Sequence, residues 1–100
     1  MAAQIGFETL SQTVQGWGYA NVEIFAKEQA KNILQQKIAY YQSRIDFFEQ
    51  KYALNFIDFC EKFSSIKNHS ILEKEDDSMV WETSLYVVES YKKDLMALSL

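Results

Sequence analysis

With 100 residues, 48% of them hydrophobic and 15% aromatic, the chain is the size of one domain and too apolar for a disordered segment, although so short a chain buries a limited share of its surface unless it associates. Its net charge of −4 opposes non-specific attraction to nucleic-acid phosphates and favours a basic partner. Cys60 stands alone, residues 1–10 lack the pattern of a signal peptide, and no run approaches the roughly 18 to 20 apolar residues of a membrane span, which together describe a soluble, cytoplasmic protein.

Proline is absent, and Gly6, Gly16 and Gly18 all lie near the start, so backbone chemistry permits long helices nearly everywhere after residue 18. Phe7, Leu10, Val14 and Trp17 recur at steps of three and four, which predicts a short amphipathic helix over residues 3–15. The glycines of "GWGYAN" suit a left-handed C-cap. Asn21 suits the N-cap of the next helix, with Glu23 in its first turn.

From there no stop signal occurs until about Tyr52, which predicts a helix of about thirty residues, roughly 45 Å long. Leu34, Ile38, Tyr41, Ile45, Phe48 and Tyr52 alternate steps of four and three, the spacing of a coiled-coil seam. A second row, Ile33, Tyr40, Phe47 and Leu54, repeats every seven residues, and Lys37, Arg44 and Lys51 fall between the two rows. One neighbouring helix cannot cover both, so the second row is the expected interface of a homodimer.

Residues 53–66 form a weaker element whose stripe is Phe56, Phe59, Cys60, Phe63 and Ile66, with Cys60 expected to be a packed thiol. "KNHS" and "EKEDDS" then read as a polar break, with a final helix over Met79 to Leu98. Trp81 is expected in the core. The architecture expected is all-α in a single domain over 1–100: a long helix folded against a C-terminal helix, short N-terminal and connecting helices, and a bundle completed by dimerisation.

The acidic knot Glu73, Glu75, Asp76 and Asp77 has calcium-like chemistry but not the spaced oxygens, central glycine and terminal glutamate of an EF-hand loop. It reads as a cap, with Asp77 or Ser78 as N-cap of the final helix, and secondarily as a lure for a basic partner. His69 and Glu73 stand four apart with no third ligand, so no metal is expected and His69 reads as a solvated loop residue. No phosphate loop, nucleophile elbow or base for Cys60 is visible. Neither an enzyme nor a cofactor is expected. The aromatic and basic residues around Tyr40 and Arg44 could stack and pair with nucleic acid, but their heptad spacing favours helix packing, which makes nucleic acid an unlikely partner.

"KIAYYQSRIDFFEQKYALNFIDFCEKF" is a helix ending in a lone Lys-Tyr, followed by a Phe-rich short helix, and "EKEDDSMVWETSLYVVESYKKDL" is an acidic connector leading into a Trp-bearing helix. In this pattern the last two-thirds of the chain resembles small bacterial TumA-like antitoxins of two-gene toxin-antitoxin modules. The resemblance implies a protein that binds and neutralises a cognate toxin. Residues 1–20 show neither a basic ribbon nor a helix-turn-helix, so self-repression at DNA is not implied here. From charge and exposure, Asp76, Asp77, Glu82 and Glu89 are the residues expected to face a basic toxin. The rival readings are a self-associating coiled-coil structural protein and a small nucleic-acid-associated regulator.

Overall fold

The computed structural model describes residues 2–100, with side chains from residue 5 onward. In chain order it comprises α1 (Ala2–Gly16), α2 (Val22–Tyr52), α3 (Phe56–Glu61), a single 3₁₀ turn (Phe63–Ser65) and α4 (Ile71–Leu98), with no strand among the described residues. The all-α expectation holds, and α2 packs along α4 as the principal contact of the fold.

Each boundary has a local cause. Gly18 takes φ 98° after α1, and the Gly18 and Tyr19 amides donate to the carbonyls of Gln15 and Val14, closing a Schellman cap. Asn21 Oδ1 accepts from the Ile24 amide at 2.8 Å to start α2, and Asn55 does the same for α3 through Asp58. Ala53 ends α2 in the left-handed region at φ 55°, a conformation that costs an alanine about 1–2 kcal/mol relative to the right-handed well.

The final helix begins eight residues earlier than its expected start at Met79. Ser70 is its N-cap, its Oγ accepting from the Glu73 amide at 3.1 Å, so "EKEDDS" lies inside the first turns of α4. Asp77 and Ser78 are therefore not caps. Ser78 instead donates to the Glu75 carbonyl one turn back. The polar run contains no glycine or proline, and its inward members find partners across the hairpin, so nothing interrupts the helical ladder.

The core sits at the closed end of the hairpin. Trp81 is fully buried, stacked with Phe48 and Tyr52 at centroid distances of 5.6 and 6.1 Å, and met by Phe56 and Phe59 at 5.2 and 5.1 Å. Its Nε1 has no hydrogen-bond partner among the described residues, so the ring holds its place by packing alone. The first seam behaves as its spacing predicts: Ile45, Phe48 and Tyr52 are buried, and Ile38 and Tyr41 pack against them. Lys74 is buried as well, its ammonium donating to the carbonyls of Phe63 and Ile66 at 2.7 and 2.8 Å. It thereby satisfies the backbone where the 3₁₀ turn ends.

The other end of the hairpin is open. α1 touches the start of α2 through a small aromatic corner, Trp17 and Tyr19 against Phe25, with Val14 buried beneath it. The molecule measures 65 × 26 × 18 Å, with a radius of gyration of 20.9 Å. A compact domain of 100 residues has a radius of gyration of about 13 Å. Two helices side by side make a slab with two faces and one short core.

Candidate functional site

The C-terminal end of α2 presents Lys51 and Tyr52 to the first turns of α4. Lys51 Nζ lies 2.6 Å from Glu73 Oε2 and 2.6 Å from Asp77 Oδ2, and the Tyr52 hydroxyl donates to the same Asp77 oxygen at 2.6 Å. His69 Nδ1 stands 3.1 Å from Glu73 Oε2, and its ring meets Tyr52 edge to face. Half of the acidic knot is thus spent on joining the two long helices. His69, expected to be solvated, is half-buried in this cluster.

The electrostatics follow from the contacts. Hydrogen bonds donated to Asp77 and then to Glu73 hold the Lys51 ammonium well above its ordinary pKa, because both stabilise the charged form. Burial, and then the bond to Asp77, push the Tyr52 phenol up. The bond from Lys51 holds the Glu73 carboxyl below the usual range. At neutral pH the cluster is an ammonium between two carboxylates, with a neutral phenol closing it.

The second row of α2 has a different fate. Ile33, Tyr40 and Phe47 are exposed at 51, 56 and 59%, whereas Leu54, the fourth residue assigned to that row, lies beyond the end of α2 and packs against the hairpin core. The row is one wall of an open groove along one side of the hairpin. Near the open end, Ile33 and Lys37 share a recess of about 540 Å³ with Asp94 and Ala97 of α4, and farther along Tyr40 and Arg44 share one of about 300 Å³ with Val80 and Thr83. On α4 this side mixes small residues, Val80, Thr83, Ser84 and Ala97, with Met79, Tyr91 and Leu98, and Val80, Val87 and Asp94 are spaced by sevens. Lys37 and Arg44 form no ion pair among the described residues.

The four acids expected to face a partner separate in three directions. Asp77 points inward to Lys51 and Tyr52 and is unavailable to a docking protein. Glu82 and Glu89 are exposed and seven apart, and Glu75 extends their line by one more step of seven. Asp76 is exposed too, but lies about a third of a turn away from that line. The step-of-seven acid line is legible in the sequence as periodicity, but the local density of acids at residues 73–77 masks it. The capping box was legible as well, since Ser70 and Glu73 stand in the S-x-x-E spacing. Cys60, expected to be packed, is exposed, because α3 turns Phe56 and Phe59 inward, the 3₁₀ turn adds Phe63, and the thiol is left at the rim.

Among the described residues no three His, Cys, Asp or Glu side chains gather as a metal site, and no described helix is long and apolar enough to cross a membrane. Comparison of the chain with protein-family models, with characterised proteins and with solved structures finds no match. The geometry itself defines a slab-like helical hairpin with an apolar groove on one side and a line of acids on its last helix.

Proposed function

We propose that the chain is a protein-binding module that neutralises a toxic partner protein by direct contact, with Glu75, Glu82 and Glu89 as the docking line. The observation that carries this reading is the division of labour among the acids. Glu73 and Asp77 are consumed by the fold, while the three outward glutamates stand on one stripe of α4 with no structural duty beyond a long 3.7 Å pairing of Glu89 with Lys93, both highly exposed. A charged line of this kind speeds encounter with a basic surface and aligns it. The resemblance of its helix pattern to TumA-like antitoxins suggests the class of partner, a toxin encoded beside the chain.

The test is growth rescue. The product of the adjacent gene, induced alone, should arrest growth, and co-expression of this chain should relieve the arrest. Glu82→Lys with Glu89→Lys should abolish relief while leaving the helical circular-dichroism signal intact. Relief that survives the double reversal would remove the acid line from the reading, and an adjacent product without toxicity would remove the antitoxin role. The rival, a self-associating structural protein, is favoured by the exposed row Ile33, Tyr40 and Phe47, and it predicts no rescue at all.

A further inference from the structure

The groove beside the second row of α2 needs an occupant, and area gives the first indication of which. A monomeric protein of 11.7 kDa exposes roughly 5,900 Å² by the usual scaling with mass, whereas this chain exposes 7332 Å². The excess is more than the roughly 800 Å² that each partner buries in an interface of standard size. The two long helices form a single layer, and a second such layer laid on it would make a four-helix bundle with an enclosed core.

Shape and charge then say what kind of surface fits. The α2 wall is a ridge of bulky side chains, Ile33, Tyr40 and Phe47, with Lys37, whose ammonium lies 6.0 Å from the Tyr91 ring centroid, and Arg44 between them, neither in an ion pair among the described residues. The α4 wall is a trough of mixed size, in which the small side chains Val80, Thr83, Ser84 and Ala97 stand with the larger Met79, Tyr91 and Leu98, and with Asp94 near the open end. Ridge and trough have the same step of seven. The surface is therefore complementary to itself, the requirement for a two-fold interface in which one patch serves both partners.

We propose that this groove is filled by a second copy of the chain, with the two-fold axis running along the helices so that each α2 lies on the partner's α4. Such an axis leaves every residue at its own level along the bundle. The levels are set by the contacts within the hairpin: Lys51 with Asp77, Phe48 with Trp81 and Tyr41 with Tyr91. Phe47 then falls within about a turn of the partner's Val80, Tyr40 between the partner's Val87 and the partner's Tyr91, and Ile33 close to the partner's Ala97. Lys37 comes within reach of the partner's Asp94.

The other two-fold arrangement, with its axis across the helices at Tyr40, sets each α2 on the other α2. It opposes ridge to ridge and gathers Lys37 and Arg44 of both chains around the axis, with like charges adjacent and no acid of the groove between them. The first arrangement satisfies volume and charge together. It also leaves Glu75, Glu82 and Glu89 of both copies outside the dimer core. The inference rests only on self-association and stands whether or not a toxin is bound.

Purified chain should sediment as a dimer at about 10 μM, and Tyr40→Glu with Phe47→Glu should give a monomer of unchanged helicity. Lys37→Asp should weaken the dimer about tenfold, and adding Asp94→Lys should restore it. The geometry is read by disulfide trapping in a Cys60→Ser background. A mixture of Phe47→Cys and Val80→Cys chains should oxidise to a covalent mixed dimer, and Tyr40→Cys alone should not. A wild-type monomer at about 100 μM overturns the proposal, as does a Tyr40→Cys homodimer forming faster than the mixed one or a failure of Asp94→Lys to rescue. Should the glutamate variants misfold, the trapping experiment decides on folded protein.

Discussion

Asp77→Ala separates an acid that holds the fold from one that merely decorates a helix. One carboxylate oxygen accepts from both the Lys51 ammonium and the Tyr52 hydroxyl at 2.6 Å, and the Asp77 side chain is only 18% exposed. Hydrogen bonds to charged groups contribute about 1.5–3 kcal/mol each when shielded from water, and less where solvent screens them. Lys51 keeps Glu73 as a second partner in the variant, so the larger loss falls on the buried Tyr52 hydroxyl, left without an acceptor. The expected cost is about 2–4 kcal/mol for Asp77→Ala and about half that for Asp77→Asn, whose amide oxygen still accepts from Tyr52. Asp76→Ala, one residue away and exposed, should change stability by no more than about 0.5 kcal/mol. Urea unfolding followed by Trp fluorescence at two protein concentrations measures all three and separates folding from association. Equal effects of Asp77→Ala and Asp76→Ala would refute the reasoning.

Stability should be greatest between about pH 5 and pH 10. Glu73 titrates below its unfolded value, so its contribution is present above that value and is lost as pH falls through the folded one. Lys51 and Tyr52 titrate above theirs, so their contribution is complete below about pH 10 and is lost as pH rises. Thermal melts of Glu73→Gln should show a flatter acid limb, and those of Asp77→Asn a flatter alkaline limb. Trp81→Ala should cost about 3–5 kcal/mol, whereas Trp81→Phe should cost much less, because it removes the unpartnered indole N–H together with part of the ring; chemical denaturation distinguishes them. Ala53→Gly should stabilise the chain by about 0.5–1 kcal/mol in the same assay by relieving the left-handed alanine that ends α2.

Helix α2, its N-cap and its inner seam are legible in the amino-acid sequence alone. Leu34, Ile38, Tyr41, Ile45, Phe48 and Tyr52 could lie on one stripe only if residues 22–52 were helical, and Asn21 could start that helix with its own side chain, so local chemistry and periodicity agreed. Gly18 marked the end of α1 for the same reason, since it is the residue that takes a positive φ without strain there.

The folded hairpin settles the use of residues whose roles depend on a distant neighbour. "EKEDDS" looks like a helix breaker when its charges are imagined in water. It continues α4 because Lys51, 26 positions before Asp77, meets Asp77 and Glu73 from the other helix, and because Lys74 reaches back to the carbonyls that end the 3₁₀ turn. Leu54 belongs to the outer row by spacing but not in space, because Ala53 turns the chain out of the helical register one residue before it. Cys60 is exposed for a similar reason: a helix of six residues has too few positions to bury a whole stripe, and Phe56 and Phe59 fill the space against Trp81 first, with Phe63 packed on Phe59. Periodicity is a property of one segment, whereas burial and ion pairing are settled between segments, where only the folded hairpin sets which side chains meet.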